Sequence, residues 1–183
     1  MPDFNPKPPE RRATIVTAWI HPDDLHCFHR ARSKFFPGHR NFLSAHLTLF
    51  HHIRPGVRDR FIERARRLVE DYPTPFPPLL IKPPFSMGKG VAYGIEAPPL
   101  IELRRPLRDH FGPALTEQDA RPWKKPHITV QNKVSRAEAE RLARHLLRIY
   151  RPGHLRVLGL EFHRYDYGPW TLLGRAGFSG VAP

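Results

Sequence analysis

Two tetrapeptides, His46-Leu47-Thr48-Leu49 and His127-Ile128-Thr129-Val130, share the order histidine, aliphatic, threonine, aliphatic. Histidine has an ordinary pKa near neutrality, so one imidazole can take a proton while another gives one. Threonine adds a hydroxyl donor. Along an extended strand side chains alternate between faces, which puts each His and Thr together and turns the aliphatics toward a core. Two such strands facing each other would assemble a base, an acid and two hydrogen-bonding clamps. That set is sufficient to cut a phosphodiester without a metal. A single copy is a weak signal, because three common residue types recur by chance; a pair, each on a strand pattern and each followed by a helix pattern, is a strong one.

The same alternation extends beyond the signatures. Counting by twos, Phe50 and His52 fall on the face of His46, and Gln131 and Lys133 on the face of His127. Phe50 is expected either to stack a base or to pack as a core or inter-lobe aromatic, Lys133 either to meet a phosphate or to end the strand in solvent, and Gln131 to join them as a substrate-binding residue; a bulge would flip either assignment. Trp170, beside Gly168-Pro169, is placed at the cleft mouth. His51 alternates away and is expected to be packed or at a strand end. His21, His26, Cys27 and His29 lie around a predicted helix and read as a solvated face, so no metal site is assigned. Gly88-Lys89-Gly90 reads as a hairpin turn rather than a phosphate loop.

These residues need elements to position them. Thr14–Ile20 is β-branched and aromatic and reads as a strand; Pro22-Asp23-Asp24 opens a helix with Leu25, Phe28, Ala31 or Arg32, and Phe35 on one side. The first signature strand runs to about Ile53, and a helix follows whose apolar stripe is Val57, Phe61, Ile62, Ala65, Leu68, Val69 and Tyr72. Leu79–Met87 and Gly90–Glu96 form a hairpin. Pro99–Phe111 reads as a helix that Pro106 should shorten or kink. After the second signature, Ser135 and Glu138 make a capping box opening a helix to about Tyr150. Leu155–Tyr165 and Trp170–Ala176 read as two final strands. The succession of signature strand, helix and hairpin thus occurs twice, at about residues 46–97 and 127–176. The expected fold is α+β and bilobal, two pseudo-twofold-related lobes of antiparallel sheet with helices outside and the signatures lining the cleft between them.

The chain carries 30 Lys and Arg against 17 Asp and Glu, a formal net charge of +13, which favours a polyanionic partner. At 183 residues it reads as a single domain over 13–178, with a flexible tail at 1–12 containing Pro2, Pro6, Pro8 and Pro9 and a short tail at 179–183. Cys27 is the one cysteine, so no intramolecular disulfide and no Cys-based zinc motif can form. No signal-peptide core and no long apolar run occur, and a cytoplasmic monomer without membrane contact is expected. No GxxxxGK[ST] loop is present, so no ATP-driven chemistry through such a loop is expected.

The two signatures, with Ala45-His46-Leu47-Thr48-Leu49-Phe50, Lys125-Pro126-His127-Ile128-Thr129-Val130-Gln131-Asn132-Lys133 and Gly168-Pro169-Trp170 around them, resemble the two-histidine phosphoesterases. That family includes 2′-5′ RNA ligase-like proteins and RNA 2′,3′-cyclic phosphodiesterases. The similarity covers roughly residues 13–178 by order of elements. It implies the same bilobal fold, catalysis by His46, Thr48, His127 and Thr129 without a cofactor, and RNA ends or nucleotides with a cyclic phosphate as partners. It also implies His46 as proton donor and His127 as acceptor in hydrolysis. Two other functions fit the residues: a cyclic phosphodiesterase for a small nucleotide metabolite, and a protein that binds RNA ends without turnover.

Overall fold

A computed structural model describes residues 7–180; the outer parts of the two expected tails, 1–6 and 181–183, lie outside the described residues. In chain order the elements are β1 (Thr14–Ile20), α1 (Pro22–Phe35), β2 (Thr48–Ile53), α2 (Arg58–Glu70), β3 (Leu79–Ser86), β4 (Gly90–Glu96), α3 (Pro98–Phe111), α4 (Glu117–Ala120), β5 (His127–Asn132), α5 (Arg136–Ile149), β6 (Gly153–Leu155), β7 (Val157–Tyr165) and β8 (Trp170–Gly177). The strands form two four-stranded antiparallel sheets, ordered β2-β1-β7-β8 and β5-β4-β3-β6. The fold is therefore α+β and bilobal, as the alternating patterns predict.

Each signature strand is the edge of its sheet, and the two edges meet at an isolated antiparallel bridge between Leu47 and Ile128. Those are the aliphatic residues directly after the two histidines. Both are fully buried in a core shared by the two sheets, with Leu49 and Val130 beside them. One helix exchanges sides. α1, which links β1 to β2 of the first sheet, packs on β5 and β6 of the second, whereas α2 covers β7 and β8 and α5 covers β3 and β4. On α2 the stripe is as expected, with Phe61, Ala65 and Val69 buried; on α1 Phe28 and Arg32 are the buried pair.

Two expectations about the elements change. α3 runs unbroken through Pro106. A proline there lacks the N–H that would serve the carbonyl of Glu102, and that residue is exposed, so water can take the carbonyl instead. The expected strand from Leu155 to Tyr165 is two strands in different sheets, since β6 pairs with β3 and β7 with β1 and β8. The break falls at Arg156, whose N–H and guanidinium both bond the Asp24 carboxylate at the start of α1, at 2.7 and 2.8 Å. Before β1, residues 9–11 make a 3-10 turn and Arg12 pairs with Asp166 at 2.6 Å, so this stretch lies against the β7–β8 turn.

Candidate active site

A cavity of about 160 Å³ is lined by His46, Thr48, His127 and Thr129 together with His51, Trp123 and Trp170. The two signatures thus face one space. Each histidine is held by its own backbone in the same way: Nδ1 of His46 donates to the Ser44 carbonyl at 2.7 Å, and Nδ1 of His127 to the Lys125 carbonyl at 2.8 Å. A carbonyl oxygen only accepts, so the hydrogen of each neutral ring sits on Nδ1 and Nε2 keeps its lone pair. Neither threonine hydroxyl has a protein partner among the described residues.

Two buried arginines tie the signature strands to the helices. Arg32 of α1 donates to Asn41 Oδ1 at 2.9 Å, to the Leu43 carbonyl at 2.8 Å and across to the Thr129 carbonyl at 3.1 Å. Arg104 of α3 donates to the carbonyls of Leu49 at 2.8 Å, Asp119 at 2.6 Å and Arg121 at 3.2 Å. Burial lowers both guanidiniums to about 10, so both remain cationic at neutral pH. Both bond to carbonyl or amide oxygens; the Asp119 carboxylate offsets part of the Arg104 charge, whereas Arg32 has no such carboxylate and adds positive charge behind the site. A further backbone tether comes from His29, whose Nδ1 accepts from the Ala45 N–H at 3.1 Å.

Burial pushes His46 down to about 4, and the charges of Arg32, His163 and His51 act in the same direction against the Ser44 bond. Trp170 supplies part of that shield, its ring centroid lying 4.6 Å from that of His46. Trp170 also touches His163 at 5.6 Å, and His163 belongs to a polar group on the same sheet with Thr17 and Glu161. Desolvation raises the Glu161 carboxyl, but bonds from His163 and Arg175 outweigh it and hold the group below its ordinary value.

The alternation by twos fails directly after each signature. In β2, Thr48 lies opposite Thr17 but Phe50 lies opposite Val16, so Leu49 is an extra residue. In β5, Thr129 lies opposite Ala92 but Gln131 opposite Val91, so Val130 is extra. A bulge puts two successive residues on one side and shifts everything after it. Phe50 is consequently fully buried, edge-on to Phe61 at 5.0 Å and beneath Arg104, and it is not available to stack a base. Gln131 is buried too, its Oε1 without a hydrogen-bond partner among the described residues. Lys133 sits past the strand in a left-handed conformation, φ 62°, exposed and away from the cavity lining. Of the four expected substrate-binding residues, Trp170 alone lines the cavity. The second bulge leaves so little room that a side chain at Gly90 would come within 2.2 Å of the Gln131 carbonyl.

The bulge that removes Phe50 delivers His51. A second register slip between Phe50 and Ile53 leaves both His51 and His52 outside the core. Their N–H groups, released from the ladder, go to the buried carboxylate of Asp119, each at 2.8 Å. Asp119 also takes His51 Nδ1 at 3.3 Å, which leaves Nε2 as the ring nitrogen free for the cavity. Desolvation raises this carboxyl, yet its bonds from His51 and His52 prevail and keep it below its ordinary value. Residue counting missed His51, Asp119, Trp123 and His163. The one signal present was Thr116-Glu117-Gln118-Asp119, where Thr116 Oγ1 caps a short helix by accepting the Asp119 N–H.

Among the described residues no group of three or more His, Cys, Asp or Glu side chains could hold a metal ion, and no helix is long and apolar enough to cross a membrane. No curated protein matches the chain significantly. A family model does: that of the 2′-5′ RNA ligase superfamily matches residues 19–169, a stretch containing both signatures and everything that lines the cavity except Trp170.

Proposed function

From the membership of this chain in the 2′-5′ RNA ligase superfamily we propose that it opens 2′,3′-cyclic phosphates at RNA ends, and can cleave or form 2′-5′ phosphodiesters, by paired-histidine acid-base catalysis in the cavity. The observation that supports this most directly is the matched tethering of His46 and His127. Each Nδ1 is occupied by a carbonyl two residues earlier, so both Nε2 atoms remain for substrate in one small space.

The step balances without a redox partner. One neutral imidazole takes a proton from water through Nε2, and the water oxygen bonds to phosphorus. The bond from phosphorus to one ribose oxygen breaks, and that oxygen receives a proton from the other imidazole, which enters protonated. The Thr48 and Thr129 hydroxyls donate to the non-bridging oxygens as charge builds there. His51 stands on the same wall, and in its protonated form, with Nδ1–H held by Asp119, its Nε2–H is a further donor to the phosphate. Because burial keeps His46 neutral in the free protein, His46 is favoured as the acceptor and His127 as the donor. This reverses the roles that family resemblance implies.

The test is incubation of the protein with oligoribonucleotides ending in 2′,3′-cyclic phosphate, in excess chelator, with product identification by phosphorus NMR. A single phosphomonoester isomer is expected, because one oxygen per binding pose faces the donor. Absence of turnover, or turnover that requires added metal, contradicts the proposal.

A further inference from the structure

Beside the cavity lies a groove of about 420 Å³, whose lining includes Arg11, His52, Arg54, Tyr165 and Tyr167. The two spaces adjoin along one face. β7 pairs with β1 without a slip from Arg164 to Glu161, so Glu161, His163 and Tyr165 share a side. His163 touches Trp170 of the cavity, and Trp170 lies opposite Tyr165 in the β7–β8 ladder. On β2 of the same sheet His51 lines the cavity and His52 the groove. A two-residue step along a strand is about 6.7 Å, within the reach of one nucleotide.

The groove has the chemistry of a single-stranded nucleic-acid site. Arg12 is neutralised by Asp166, but Arg11 and Arg54 have no carboxylate within ion-pair distance among the described residues. Next to them Tyr165 is 38% exposed, its ring 5.6 Å from that of Tyr167, which already carries the Arg12 guanidinium 5.4 Å over its face. Unpaired guanidiniums beside aromatic faces suit a chain that alternates phosphate and flat base. The cavity itself is too small for more than the reacting phosphate and its ribose, so a longer strand must leave over neighbouring surface.

We propose that this groove receives the nucleotide on the 5′ side of the reacting terminus, its base against Tyr165 and its phosphate on Arg11 and Arg54. Resting on the proposed function, this makes an RNA strand, and not a mononucleotide, the substrate. An acidic peptide is the competing occupant for the cations, but it offers nothing flat to Tyr165.

The experiment compares kcat/KM for cyclic phosphates on a mononucleotide, a dinucleotide and a trinucleotide. A gain on the order of 10-fold is expected from mononucleotide to dinucleotide, for the one base that the groove stacks, with the trinucleotide no worse than the dinucleotide. In an Arg11→Ala/Arg54→Ala double variant, and in Tyr165→Leu, the ratio of trinucleotide to mononucleotide kcat/KM should fall toward one. Equal values for mononucleotide and trinucleotide in the unaltered protein would overturn the assignment. A second arm reads binding apart from chemistry, by fluorescence anisotropy of a labelled 2′-O-methyl trinucleotide. Its salt slope should flatten by about 0.7 for each phosphate contact the arginine variant loses. Groove-dependent binding with no turnover of any substrate would sink the catalytic reading and leave the groove standing. Turnover without length preference or groove-dependent binding would do the reverse. Competition by a glutamate-rich peptide equal to that by RNA of the same charge would also overturn it.

Discussion

Asp119 and His51 are joined twice, through the His51 N–H at 2.8 Å and through its Nδ1 at 3.3 Å, so one carboxylate both closes a break in strand β2 and aims the ring that the break exposes. The two jobs separate by mutation. His51→Gln leaves the backbone bonds intact and should lower kcat/KM on a cyclic phosphate by roughly 10-fold, the scale of one hydrogen bond to a charged group, with little change in urea midpoint. Asp119→Ala leaves two N–H groups without an acceptor at about 1–3 kcal/mol each and should shift the urea midpoint strongly. Equal effects of the two variants on stability would contradict this division.

The signature residues should carry most of the rate. His46→Ala and His127→Ala are each expected to lower kcat by about 10² to 10⁴-fold, the usual worth of a general acid or base. Thr48→Ala and Thr129→Ala should cost about 10 to 10³-fold, each deleting one donor to developing charge. Circular dichroism should show the fold retained, since none of the four is fully buried. A variant with near-normal turnover removes its residue from the mechanism.

The depressed His46 gives pH a direction. kcat/KM reports the free enzyme, so with His46 as acceptor the activity should persist as pH falls and decline only near 4. If His46 is instead the donor, kcat/KM should already be declining as pH rises above that value. Stability carries the same mark. Between the ordinary histidine value and about 4 the unfolded chain binds the proton and the folded one does not, so His46 contributes stability above this window that is lost as pH falls through it. The unfolding free energy of His46→Gln should show a shallower acid slope than that of the unaltered protein.

Trp170 tests the origin of that depression. Trp170→Ala opens His46 to water, and its pKa, followed by the ring proton shift in NMR, should rise toward the ordinary histidine value. The acid limb of activity should move upward with it. An unmoved titration would assign the shift to the buried surroundings other than the indole.

The signatures, their strands and the bilobal arrangement were legible because a period of two, repeated with the same residue types, survives any detail of packing. The residues flanking them were not. One extra residue at Leu49 and another at Val130 reverse the sense of the strand, so Phe50 and Gln131 turn inward and His51 turns out. A bulge depends on which neighbouring strand is paired at each position, and neighbours are set by long-range topology. Asp119 was invisible for the same reason, since it lies 68 residues from the imidazole it holds. The split between β6 and β7 was hidden because an apolar run looks alike whether it stays in one sheet or crosses to another.

The bridge between Leu47 and Ile128 also bears on solubility. Each signature strand is a sheet edge, and unpaired edges recruit foreign strands. Here the two edges shield one another, and α1, borne on the loop between two strands of one sheet, covers the other. A cut between β4 and β5 would part the two signature edges. Because β7 and β8 of the first sheet follow β5 while β3 and β4 of the second precede it, neither fragment would hold a whole sheet, and the residues next to each histidine would lie open to aggregation. The two fragments expressed separately should therefore be sticky alone and recover only when mixed.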